Sequence, residues 1–276
     1  MKFKSIFILF NIVILIALLF VCAMPFLVLG ADFALPFWRT NWPLALILVL
    51  ILAGIDGFFI INQRLFTLLE REDWPALATY LENRIIQKKR YSPRLVRLLA
   101  NTYLVLSDSA AVLALEKKVS QVKPPLLDKN ALVFGLARVL SKDHGGAVSF
   151  FSDRLKNPKV ESPEWVRWYY GFSLLLVRDF PGAANALVPL ALTAQDPLVT
   201  VLAQDFLAQT VISAIPERSE EIEASVAQAR TRILKTLPTK TAWNREIEKS
   251  RTEIHVVILS KSLEEAGQRL YSEVTA

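Results

Sequence analysis

The chain has 276 residues, 53% of them hydrophobic and 21% charged, and carries a net charge of +6. That balance is too apolar for an ordinary water-soluble domain and too weakly basic to point to nucleic acid. One cysteine and two histidines exclude an intramolecular disulfide and a metal site built from histidine and cysteine alone.

The apolar excess sits at the amino-terminal end. From Ile6 to Leu29 only Asn11 and Pro25 interrupt it, and from Leu44 to Ile61 the only charge is Asp56. Crossing the hydrocarbon core takes ~20 apolar residues. The first run outlasts the ~7–15-residue stretch of a cleaved signal peptide, and Cys22 in LFVC lacks the preceding small residue of a lipoprotein signal. Residues 1–62 therefore read as a membrane hairpin with spans at about 6–29 and 43–62, joined by the loop ADFALPFWRTNW. Lys2 and Lys4 precede the first span, Arg39 lies in the loop, and Arg64 and Arg71 follow the second. By the positive-inside rule both ends are expected in the cytoplasm of a bacterial cell, with the hairpin in the inner membrane. Phe37, Trp38 and Trp42 would form the outer aromatic belt. Asn11 and Asp56 fall at similar depth and are expected to contact each other, with Gly54 and Gly57 letting the helices close up. The functional alternative for Asp56 is a polar role inside a membrane enzyme or transport complex.

No Gly or Pro lies between Phe58 and Glu72, so the second helix is predicted to run on to about Glu70. Beyond it, Asp73, Asp108, Asp143 and Asp179 recur at intervals of 35, 35 and 36 residues. A period near 35 marks stacked helical hairpins. Small residues stand eight positions before three of the acids (Ala100, Gly135, Gly171), and Leu65 departs. Trp74 and Phe180 follow two of the acids directly, and Ala147 and Ala183 stand four after. Pro124, Pro158 and Pro197 separate the units. On these residues the stretch 64–195 resembles the tetratricopeptide repeat (TPR) family, whose unit is a helix–turn–helix of 34 residues. The expected fold is all-α: two transmembrane helices, then a TPR-like α-solenoid of about four to five hairpins over residues 63–237, then a helical cap over 238–276. Pro197 to Ala214 and Pro216 to Leu237 read as a fifth hairpin. In the tail, Trp243, Ile247, Ile254 and Ile258 are predicted to share one face of a capping helix.

The resemblance implies a concave face lined by the first helix of each hairpin. By register it would carry Arg94, Arg97, Asn101 and Leu104, then Lys129 and Leu132, then Trp165, Trp168, Tyr169 and Phe172. Arg97 followed by Asn101 is similar to half of the clamp some family members close on a peptide's terminal carboxylate. Tyr170 is expected in the core, and at least one of Trp165, Trp168 and Phe172 exposed in the groove. Six basic residues from Arg84 to Arg97 suit contact with anionic lipid. The chain has no phosphate-binding glycine loop, no G-x-S-x-G and no H-E-x-x-H. The functional expectation is a non-enzymatic, membrane-anchored scaffold in a multiprotein complex, without a cofactor, binding protein or peptide partners.

Overall fold

The computed structural model describes residues 3–272 and divides into two compact units, residues 1–80 and 81–276. Lys2, used in the orientation argument, and the last four residues of the tail lie outside the described residues. Among the described residues the secondary structure is helical throughout, with no strand.

In the first unit, α1 (Phe3–Leu29) turns at Gly30, whose φ of 81° is open to glycine, into α2 (Ala31–Glu70). The two pack antiparallel, with the Phe7 and Phe59 rings 5.0 Å apart. The predicted loop is overturned. Residues 31–42 are helical and join the second span through a kink at Asn41 (φ −105°, ψ 16°), two residues before Pro43. Proline lacks the N–H for the helical ladder and clashes with the preceding turn, which bends the helix there without ending it. Stretches Phe7–Leu29 and Leu46–Glu70 have mean hydropathies of 3.2 and 2.1, long and apolar enough to cross a bilayer, and none of either apolar window is buried inside the structure. The expected Asn11–Asp56 contact does not form among the described residues. Asn11 donates instead to the Phe7 carbonyl of its own helix at 3.0 Å, because a one-turn-back acceptor is always within reach. As predicted, α2 continues to Glu70. There the Arg64 guanidinium covers the Tyr80 ring of α3 (Trp74–Glu82).

The second unit continues with a π-helical turn (Asn83–Gln87), α4 (Pro93–Val105), α5 (Ser109–Val122), the short α6 (Pro125–Lys129), α7 (Ala131–Leu140), α8 (His144–Leu155), α9 (Pro163–Leu176) and α10 (Phe180–Thr193). Four turns, before α3, α5, α8 and α10, are built alike. Each of the four aspartates caps its helix by accepting the N–H three residues on: Ala76 at 3.1 Å, Ala111 at 2.9 Å, Gly146 at 3.0 Å and Gly182 at 2.9 Å. The preceding residues, Glu72, Ser107, Lys142 and Arg178, are left-handed with φ of 53–63°. Each aspartate N–H bonds back five residues and each left-handed residue back three, the pairing of the Schellman motif. One connector thus closes one helix and opens the next, satisfying orphan groups at both ends.

Where the sequence places small residues, backbones approach. A Cβ on Gly135 would enter the Phe151 ring, and one on Gly171 would meet Leu187 Cδ2 at 2.8 Å. Ala100, Ala147 and Ala183 are fully buried. Helices α7, α8, α9 and α10 pack in chain order, and α7 also packs on α9.

Helix α11 (Pro197–Phe206) runs through a π turn (Leu207–Val211) into α12 (Ile212–Ala214), and a 3-10 turn (Pro216–Arg218) leads to α13 (Ser219–Thr236). The stretch Pro197–Ala214 is a third one long and apolar enough to span, at mean hydropathy 1.2, but half of it is already buried inside the protein. Contacts with α10 and α13 account for that apolarity. Arg232 stitches α13 to the end of α10, donating to the carbonyls of Ala194 at 2.7 Å and Ala191 at 3.0 Å.

The tail is not one helix. It forms α14 (Lys240–Ser250), α15 (Ile254–Ile258) and α16 (Ser260–Ser272). The single face predicted for Trp243, Ile247, Ile254 and Ile258 does not form: Trp243 and Ile247 are buried, Ile254 is half-buried and Ile258 is exposed, because the break at 251–253 resets the register. Helix α16 packs on α11 and is clasped by a bidentate Arg269–Asp205 pair at 2.7 and 2.8 Å. Trp243 donates to the Leu263 carbonyl, and the Tyr271 hydroxyl to that of Leu237.

Candidate functional site

Five of the residues assigned to a concave face meet around one cavity of about 260 Å³: Arg97 and Asn101 from α4, Lys129 at the end of α6, Leu132 from α7 and Trp165 from α9. They come from three successive repeats, Arg97 and Asn101 from the first, Lys129 and Leu132 from the second and Trp165 from the third, so the shared turn geometry carries them to one side. The opposite wall was not foreseen. It consists of Ser250, Glu253, Ile254, His255 and Val256, the junction between α14 and α15. Glu161 and Asp196 complete the rim.

Arg97 is already engaged. Its Nη2 donates to the Lys129 carbonyl at 2.5 Å and pairs with Glu161 at 2.8 Å. Both side chains are more than a third exposed, so this pair contributes little to stability and can be exchanged for another carboxylate. Glu161 is positioned by its own N–H, which donates to the Asp128 carbonyl at 3.0 Å. Asp128 in turn receives Arg154 at 3.0 Å and Asn157 at 2.6 Å, fixing the segment between α8 and α9.

Trp165 stands on a polar brace. Its indole donates to Asp196 Oδ2 at 2.7 Å, and the Glu164 carboxylate accepts the N–H groups of Gln195 and Asp196 at 2.8 and 3.0 Å. The His255 ring meets the Trp165 ring edge to face at 4.4 Å. Burial, reinforced by the nearby Arg97 charge, pushes the His255 imidazole down to about 4, so it is neutral at neutral pH. Two acceptors on the groove wall have no partner among the described residues: Oδ1 of Asn101 and Oδ1 of Asn130, the latter on a buried side chain whose Nδ2 is held by the Leu126 carbonyl at 2.8 Å. A guanidinium, an ammonium, two amide oxygens and an aromatic wall constitute recognition chemistry.

The remaining predicted face residues lie elsewhere. Trp168 and Tyr169 are buried, at 0% and 1% exposure, and Leu104 is buried too. Trp168 stacks on Phe172 at 5.3 Å and meets Phe206 of α11 edge-on at 5.7 Å. None of Trp165, Trp168 and Phe172 is exposed; Phe172, half-buried, is the most accessible, and Tyr170 is half-buried, packed against the core around Leu174, Ala183 and Ala186. The neighbouring helix covers this surface, which a period within one helix does not reveal. Burial also raises the Tyr169 phenol, whose hydroxyl has no partner among the described residues. Arg94 is exposed and does not line the cavity. Lys88, Lys89 and Arg90 are exposed in one run after the π turn. The missed wall had a faint signal: EIHVVI at 253–258 is apolar almost without interruption and lacks a polar face for a surface helix.

A family model described as an uncharacterised Treponema protein matches residues 111–272, which takes in α7, α9 and the tail helices α14, α15 and α16. An uncharacterized protein of Treponema pallidum (strain Nichols) is 31% identical over 238 residues, covering 83% of this chain and 71% of that protein.

Proposed function

The chain belongs to this uncharacterised Treponema protein family, and from that premise we propose that it is a membrane-anchored scaffold that holds a protein or peptide partner in the groove formed by α4, α7 and α9. The single observation carrying this reading is the convergence of Arg97, Asn101, Lys129, Leu132 and Trp165 on one cavity. The finer fold reading, a TPR-like solenoid of four to five hairpins with a C-terminal cap, is supported by the four like-built turns at the 35-residue period. Repeat arrays of that kind present a continuous binding surface and need no reaction centre. Arg84, Lys88, Lys89, Arg90 and Arg94 offer a second contact, to anionic lipid headgroups. The proposed location is the inner membrane with the repeat unit in the cytoplasm. A reporter fused after Ala276 that proves active only outside the cytoplasm reverses the orientation.

The binding claim is tested by co-purifying the full chain from membranes, side by side with Arg97→Glu. A specific partner lost from the variant supports the groove, and an unchanged partner set removes it. A second reading is favoured by one observation: Asp56 is half-buried in an apolar span and has no hydrogen-bond or ion-pair partner among the described residues. Such a group is expensive unless another chain meets it, consistent with a component of a membrane enzyme or transport complex. Asp56→Asn that abolishes cellular function while leaving partner recovery intact would favour this reading; an unaffected variant disposes of it.

A further inference from the structure

We propose that the segment Glu253–Val256 is a built-in ligand mimic that plugs the groove, and that the external partner is a peptide of the same chemistry, an acidic residue followed by a ring side chain flanked by β-branched apolar ones, which enters by displacing it. The proposal rests on the groove reading above. The segment supplies the wall facing Arg97, Lys129 and Trp165, with His255 against the Trp165 ring and Val256 buried to 1%. Glu253 brings a carboxylate to a rim that carries Arg97 and Lys129, the charge complementarity a docking peptide would use.

The segment is also free to leave. It is a strap between α14 and α16, and both of those have anchors of their own. Trp243 donates to Leu263, Arg269 grips Asp205, and the Tyr271 hydroxyl reaches the Leu237 carbonyl. None of these bonds passes through residues 251–258. The strap fills the groove imperfectly. The amide oxygens of Asn101 and Asn130 receive no donor from the described residues, and Val257 and Ile258 remain exposed at 49% and 38%. A peptide that brings donors to those oxygens gains contacts the strap does not make. Release would move an apolar strand of side chains into water, which limits the open state to a minor population until a ligand captures the groove.

The test uses the full chain in detergent micelles and a dye-labelled peptide corresponding to residues 250–260, with a scrambled control. Val256→Asp places a charge in the buried contact and should open the strap. The peptide is expected to bind this variant at least about tenfold more tightly than the unaltered chain, and Arg97→Glu in the open background should remove that gain. Equal binding to both chains overturns the plug. So does no binding to the open variant when hydrogen exchange shows residues 253–258 released and α7 and α9 still protected. If Val256→Asp does not fold, His255→Ala replaces it, and exchange in the unaltered chain becomes decisive: amides of 253–258 must exchange faster than those of α7 and α9, and equal protection refutes the plug. Should the peptide fail while Arg97→Glu still strips the co-purified partner, only the plug falls. Should that partner also survive Arg97→Glu, the groove falls with it.

Discussion

The first unit and the second use the same secondary structure and place their apolar side chains oppositely. Along α1 and α2 most of the large aliphatics and several phenylalanines point outward, as with Leu27, Ile60 and Ile61 at 67–74% exposure. In the second unit Phe134, Phe151, Trp168 and Leu187 are sealed inside. In water the second arrangement is stabilised by burial, at roughly 25 cal/mol per Å² of apolar surface. The first has no such core to lose, because hydrocarbon is as apolar as leucine and the helices meet through local packing. Steric tolerance should therefore differ sharply between the two.

The largest expected break is at Gly135. Gly135→Val would drive a branched side chain into the Phe151 ring and should destabilise the second unit by about 3 kcal/mol, read as a fall in its thermal midpoint by near-UV circular dichroism. Acid should give the next effect. His255 has a folded value near 4 against 6.5 in the unfolded chain, so the unfolded state binds the extra proton. The stability from burying the neutral ring is complete above about pH 6.5 and declines as pH falls toward 4, by at most about 3 kcal/mol. A pH series of melts should show this slope, and His255→Gln should flatten it. The hairpin spans contain no histidine and should contribute none of it. A capping loss is smaller. Asp143→Ala removes the bond to the Gly146 N–H and should lower stability by about 1 kcal/mol in a urea titration. Lys142→Gly relieves a left-handed backbone and should add about 0.5 kcal/mol. At the bottom stands Gly54→Ala in α2, where an added Cβ meets nothing within 4 Å; a change within about 0.5 kcal/mol is expected, and a large loss would show that another helix packs there.

The legible parts of the sequence were those written in local chemistry. Asp73, Asp108, Asp143 and Asp179 announce their turns because a cap acts on an N–H three residues away. The two spans are visible because hydropathy is a sum over neighbours. What escaped is set by distant segments. The periodicity of EWVRWYYGF says which residues share a face, yet Phe206 from α11 decides that Trp168 is inside. Arg97 and Asn101 were placed on a binding face, but the wall opposite lies some 150 residues on, in a tail read as one continuous helix. The helical path of residues 31–42 was hidden for another reason: the stretch lies between two apolar runs and contains Pro36, with Pro43 just after it, and both prolines are absorbed inside one helix.

A strap covalently joined to the surface it covers never dilutes. Its local concentration is on the order of millimolar whatever the abundance of the chain, so a free peptide making identical contacts at micromolar levels would face about a thousandfold handicap. Any successful competitor must either bind better than the chain's own residues 253–256 or arrive already concentrated beside it, and confinement to the same bilayer is one physical means of such enrichment.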